Sequence, residues 1–224
     1  MYLRVALFAA LFSVCSLTLW GCSQTAYFIA RPEPWRQDEE RACLGSGWVR
    51  EQPWLVARAS LGASSDFCGA LRPFQMSAAL GGRVALKPPA LVRCNMVPAI
   101  ERWAYYVAEP AARRIYGASL AEVKVIASYS CRPMNGIAGS KLSEHGHANA
   151  IDVAGFKLTD GRFISVKSGW FGDERDRAFL RQVHQGACSE FKTVLGPDAN
   201  RFHRDHFHFD LARHGRSGQE VICK

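Results

Sequence analysis

Six residues near the C-terminus, His206-Phe207-His208-Phe209-Asp210-Leu211, alternate strictly between polar and apolar side chains. A period of two belongs to a β-strand, whose successive side chains point to opposite faces. One face therefore carries His206, His208 and Asp210, and the other Phe207, Phe209 and Leu211. The second face demands a core, and burying it holds the two imidazoles side by side on rigid backbone. Taken alone, a His-x-His strand is as easily a surface feature or a hydrogen-bonded pair as a functional one. The rest of the chain decides.

At 224 residues, 48% hydrophobic and 21% charged, the chain is long enough for one well-buried domain with appendages. Its net charge of +8 suits an anionic envelope surface or an acidic polymer. Nucleic acid is not expected as a partner, because there is no Lys/Arg run and no basic stripe interleaved with aromatics. Residues 1–22 hold Arg4, the apolar run VALFAALFSVCSLTLWG and then Cys22. A charged start followed by a run of that length reads as a signal segment or anchor. Leu19-Trp20-Gly21-Cys22 resembles a bacterial lipoprotein processing site with Cys22 as the lipid-bearing residue, although Trp20 departs from the usual small residue. Lipid on Cys22 and an uncleaved anchor both imply export, with the domain in the periplasm, attached to the inner or outer membrane. Beyond Cys15 and Cys22 six cysteines remain, an even number with no CxxC pair, which suggests up to three disulfides. Fifteen pairings are open, and the nearest in sequence, Cys68 with Cys94, is the one specific expectation.

Residues 23–59 read as a polar tether, most plainly at 31–53, with residues 60–224 as the folded domain. A helix is expected from Pro98 to about Tyr116, capped near Asn95, kinked or split at Pro110 and ended by Gly117. Residues 122–129 read as a strand. Residues 150–156 and 162–166 read as a hairpin around Thr159-Asp160-Gly161, and 174–191 as a second helix with Phe179, Leu180, Val183 and Ala187 inward. The expected class is α+β, with a mainly antiparallel β-sheet and flanking helices, in a monomer.

The segment Ser143-Glu144-His145-Gly146-His147-Ala148-Asn149-Ala150-Ile151-Asp152 concentrates chemistry again. His145 lies in a loop and Asp152 on the strand which that loop enters. Two histidines and a carboxylate make a three-ligand zinc set with a position left for water, the arrangement of a catalytic rather than a structural zinc. Such an ion acidifies water and polarises a scissile carbonyl. His184 on the second helix reads as structural, and His214 as solvated.

The same segment resembles the SxHxxGxAxD motif of zinc D-Ala-D-Ala peptidases, in the superfamily that includes lysostaphin-type endopeptidases, the penicillin-insensitive murein endopeptidase and the hedgehog domain. Ser143, His145, Ala150 and Asp152 match, and Ala148 replaces the Gly. His206-Phe207-His208 matches the superfamily's HxH. More closely, SYSCR, SEHxxxNAID, FLRxVHxxAC and HxDHFHxD together resemble the bacterial extensin-like C-terminal domain family, over roughly residues 65–215. The resemblance implies a hedgehog/D-Ala-D-Ala peptidase-like fold and one Zn2+ held by His145, Asp152 and His208. It further implies His206 as base or transition-state stabiliser, Arg132 as the contact for a substrate carboxylate or oxyanion, and Ser143 on the substrate-side loop, supporting it. His147 matches no fixed position. The D-Ala-D-Ala peptidases place a Glu upstream of the last ligand, and this chain has none. Asp205 is the second choice of base, and His203 and Asp205 are candidate supports for the histidine pair. The function implied is hydrolysis of peptidoglycan stem peptides by a D,D-endopeptidase or carboxypeptidase. The alternative is a zinc-containing peptidoglycan-binding or scaffolding module without catalysis.

Overall fold

The computed structural model describes residues 27–62 and 67–224; the expectations for the N-terminal apolar run and for Cys22 lie outside them. The described residues form one nine-stranded, mixed but mostly antiparallel sheet. Its strands are β1 (Leu55–Ala57), β2 (Phe74–Ala79), β3 (Val84–Val92), β4 (Leu120–Ala127), β5 (Ala150–Leu158), β6 (Phe163–Ser165), β7 (Thr193–Leu195), β8 (Phe207–Asp210) and β9 (Ile222–Cys223). They run in the order β1-β2-β3-β4-β5-β8-β7-β9, with β6 also on β5. Only β3/β4 and β7/β9 are parallel. The helices are α1 (Pro34–Gly45), α2 (Met96–Trp103), α3 (Glu109–Tyr116), α4 (Val166–Gly169) and α5 (Glu174–Ala187). The chain is therefore α+β.

The expected hairpin is present: β5 and β6 pair antiparallel, Lys157 opposite Phe163. The long helix is split where proline requires it. A π-helical stretch, residues 104–108, separates α2 from α3 just before Pro110. Proline lacks an N–H and crowds the carbonyl four residues earlier, and a wider turn accommodates both. Gly117 ends α3 with φ of 71°, a left-handed value that glycine adopts freely. This split helix provides the crossover that a parallel β3/β4 pair needs. α5 is capped by Asp173, whose carboxylate accepts from the N–H groups of Arg175 and Asp176, both at 3.0 Å.

The core lies between these helices and one face of the sheet. Trp103 is its centre: its ring lies 5.2 Å from Phe209 and 6.0 Å from Phe156, and its Nε1–H donates to the Val183 carbonyl. Phe207 and Phe209 are fully buried, so the alternating strand seats its aromatic face as its period requires.

Two expectations are corrected. The disulfides are Cys43–Cys94, Cys68–Cys131 and Cys188–Cys223, not Cys68–Cys94. Nearness along the chain does not bring cysteines together: β3 carries Cys94 to α1, while Cys68 meets the loop after β4. Pro88 and Pro89 belong to β3 rather than to a loop, at positions neither ladder uses. β2 pairs with residues 84–85 and 90–92, and β4 with 85–87. The second correction is the tether. Residues 34–45 form α1, which is joined to the domain by Cys43–Cys94 and by two buried ion pairs, Arg36–Glu144 and Arg93–Glu40. Two of its charges, Arg36 and Glu40, serve those pairs, while Gln37, Asp38 and Arg41 face solvent.

Two outcomes are expected. Replacing Cys43 and Cys94 together by Ala lowers unfolding free energy by about 2–5 kcal/mol in denaturant titration. His184 packs between Trp170 and Phe207, with Nε2 bonded to the Lys224 carbonyl, and burial lowers its pKa. Below an unfolded value of about 6.5 the unfolded chain takes up a proton that folded His184 refuses, so stability falls as pH drops from there. His184→Leu flattens that part of the pH–stability curve.

Candidate metal centre

Three elements supply the site. The first is a 3-10 turn, residues 144–147, capped by Ser143, whose buried hydroxyl accepts from the His145 N–H at 3.3 Å. The turn is tied down on three sides. Gly69 N–H donates to the Gly146 carbonyl (2.7 Å), Arg93 N–H to Ala148 (2.7 Å) and Ser130 N–H to His145 (3.1 Å). A Cβ on Gly146 would lie 2.6 Å from Leu142 Cδ1, so the leucine packs directly on the glycine backbone. Ala148, at the motif's glycine position, holds a left-handed φ of 51°. The other two elements are neighbouring strands: Asp152 on β5 is the direct cross-strand partner of His208 on β8. On the core side of the same strands sit Ile151, Val153, Phe207 and Phe209.

His145, Asp152 and His208 converge so closely that their ligand atoms lie within 4.8 Å of one another. His145 is 1% exposed and Asp152 5% exposed. His145 Nδ1 lies 2.5 Å from the Ser128 carbonyl, which can only accept, so the proton is on Nδ1. Its Nε2 lies 3.2 Å from Asp152 Oδ2 but makes no hydrogen bond, although it is buried. That nitrogen faces the Asp152 carboxylate and is otherwise unpartnered. His208 Nδ1 meets Asp152 Oδ1 at 2.9 Å, and its Nε2 meets Asp210 Oδ2 at 2.8 Å. Burial opposes the charge on His208, but the two carboxylates override it and raise the pKa to about 10. Burial likewise opposes ionisation of Asp152, and the His145 and His208 rings overcome it, holding the carboxyl well below the usual range. This donor set fits a divalent cation. His145 Nε2 has no hydrogen-bond partner, Asp152 is held ionised, and His208 can release its Nδ1 proton while its Nε2–H stays with Asp210.

The remaining candidates surround this cluster. His206 lies with Nδ1 2.8 Å from Asp205 Oδ1 and Nε2 3.8 Å from Asp152 Oδ2. Asp205 itself is exposed and engages only His206 among the described residues. The His203 ring lies tilted 5.2 Å from His206 and edge-on 5.7 Å from His208, and Asn200 Oδ1 holds its Nδ1 at 2.9 Å. Burial and the two neighbouring histidines push its pKa down to about 4. Arg132 is half-buried, joined to Ser143 by a backbone hydrogen bond of 3.1 Å, and its guanidinium forms no ion pair among the described residues. His147 points elsewhere, 3.9 Å from Glu33; burial and the Arg36 and Arg93 charges lower its pKa to about 3.

Sequence reasoning missed two kinds of residue. Asp210 was placed on the histidine face, but its hold on His208 was not foreseen. Glu144 and Asn149 have a structural role that the motif by itself does not reveal. Their side chains bond at 2.6 Å across the turn, and Glu144 takes Arg36 from α1 at 2.7 and 2.8 Å. The available signal was Glu144 and Asn149 flanking His145 inside one motif; nothing local pointed to Arg36.

A disulfide-linked α+β domain with a buried His–Asp–His cluster is the class these features define. The chain belongs to the extensin-like protein C-terminus family, whose model matches residues 45–224. No curated protein and no solved structure matches it.

Glu144→Gln leaves Arg36 buried beside a neutral amide. Glu33 still accepts from the Arg36 Nε–H at 2.9 Å, so the expected outcome is the loss of one charged hydrogen-bond partner, about 1.5–3 kcal/mol in chemical denaturation.

Proposed function

We propose that this chain is an exported zinc metallopeptidase that hydrolyses peptide bonds in peptidoglycan stems, as a D,D-endopeptidase or carboxypeptidase with a hedgehog/D-Ala-D-Ala peptidase-like fold. The observation that carries the reading is the buried, unpartnered Nε2 of His145 facing Asp152 beside His208. Two imidazoles and one carboxylate suit a single zinc with a position left for water, and no other described group of His, Cys, Asp and Glu converges in this way. Bound there, zinc would acidify water and polarise the scissile carbonyl.

The chain's own residues do the rest. Asp205 orients His206 by accepting from Nδ1, which leaves Nε2 free as the base at the rim of the cluster. Asp205 therefore positions the base instead of replacing it. Asp210 fixes His208, and the Ser128 carbonyl fixes His145. Arg132, with its guanidinium uncommitted, meets a substrate carboxylate or the developing oxyanion, and His203 packs behind His206. Ser143 supports the loop between Arg132 and His145. A +8 chain favours carboxylate-bearing stems. The protein works as a monomer in the periplasm, attached through the N-terminal apolar run or through lipid on Cys22. Among the described residues no helix is long and apolar enough to cross a membrane.

A second reading, a zinc-containing peptidoglycan-binding module without catalysis, is favoured by one observation: no carboxylate stands free at the cluster, since Asp205 is exposed and held by His206. Metal content and mass spectrometry of treated muropeptides separate the two. The expected result is about one zinc per chain with trimmed stems, both lost in His208→Ala and Asp152→Ala. His206→Ala keeps the zinc and slows hydrolysis by about 10²–10⁴-fold. Zinc with an unchanged muropeptide profile establishes the second reading, and a metal-free chain removes both.

A further inference from the structure

Residues 27–31, expected to be part of the tether, are built into the domain. Tyr27 and Ile29 run alongside the loop after β4. Gly139 N–H donates to the Tyr27 carbonyl (2.8 Å), Ile29 N–H to Ser140 (2.8 Å) and Leu142 N–H to Ile29 (3.0 Å). The same loop holds Arg132 and passes through Ser143 to His145, and Met134 N–H closes it onto the Lys141 carbonyl at 2.8 Å. Four large apolar side chains stand exposed on this joined surface: Tyr27 at 70%, Ile29 at 49%, Met134 at 45% and Ile137 at 46%.

Charge on the surface has one sign. Residues 27–32 and 130–142 contain Arg31, Arg132 and Lys141 and no Asp or Glu, and none of the three makes an ion pair among the described residues. Apolar side chains and a tyrosine set among unpaired cations fit the boundary of an anionic phospholipid bilayer, where the rings and aliphatic groups enter the headgroup layer and the cations meet phosphate. The sequence brings that bilayer close. The apolar run ends at Gly21, and Cys22 is five residues from Tyr27, a span of at most about 18 Å when fully extended.

We propose that the surface formed by residues 27–31 and 134–142, with Arg31 and Lys141 as its cations, rests on an anionic phospholipid bilayer, so that the loop leading to His145 opens at the membrane face and Arg132 stays with the site. The inference rests on the N-terminal attachment in the function proposed above. It replaces a domain swinging on a tether with one held flat, and it directs the site to stem peptides close to the membrane.

The test uses the full chain in nanodiscs of phosphatidylethanolamine and phosphatidylglycerol, some lipids carrying a nitroxide on the acyl chain. Methyl resonances of Ile29, Met134 and Ile137 are expected to broaden at least threefold more than those of Val56, exposed on β1, and Val221, exposed just before β9. Ile137→Ser combined with Lys141→Gln is expected to reduce that difference at Ile29 at least twofold while leaving zinc content unchanged. Co-elution with the discs but equal broadening at all five residues overturns the proposal and leaves the attachment standing. A chain that elutes apart from the discs overturns both, and the two failures are told apart by the elution profile.

Discussion

The cross-strand pairing of Asp152 with His208 is the constraint on which the site depends. It exists because β5 and β8 lie side by side in a single register. A slip of one residue would turn Asp152 and His208 into the core and push Ile151 and Phe209 outward. The register is therefore enforced from the opposite face. Trp103 packs on Phe209, Phe209 stacks on Phe191, and Phe207 packs on Trp170 and His184. Hydrophobic burial on one side of the sheet positions two polar groups on the other, and neither polar group needs to find its partner unaided.

His145 cannot be placed that way, because it comes from a turn. Its position comes from covalent and polar ties around the loop: Cys68–Cys131 beside it, Ser143 beneath it, and the Glu144–Asn149 bond across it. Arg36 closes the set from α1, and Cys43–Cys94 keeps α1 in place. Lone ion pairs at a surface contribute little, but this one is largely buried, and Glu33 gives Arg36 a second carboxylate partner. The segment before residue 46 is thus part of the site's support.

How much of this was legible depended on the range of the interaction. The β5–β6 hairpin, the split at Pro110, the stop at Gly117 and the strand with two faces all follow from periodicity or from the backbone limits of proline and glycine. The proximity of His145, Asp152 and His208 was foreseen because their motifs carry a family resemblance, not because any spacing requires it. The disulfide pairing and α1 were misjudged for one reason. Cys43 with Cys94 and Arg36 with Glu144 are contacts between residues 51 and 108 positions apart, and a polar helix that buries only Arg36 and Glu40 against distant partners looks locally like a solvated linker.

By itself the sequence determined the alternation that sends Phe207 and Phe209 inward and His208 outward, together with the presence of two histidine-bearing motifs and an even set of cysteines. Tertiary structure decided which atoms face each other: His145 Nε2 toward Asp152, His208 between two carboxylates, and residues 27–29 folded against the loop that leads to the site. The division is physical. Side-chain alternation is a local property of the backbone, whereas burial, which makes an unpaired nitrogen or a charge consequential, exists only once the chain has closed around it.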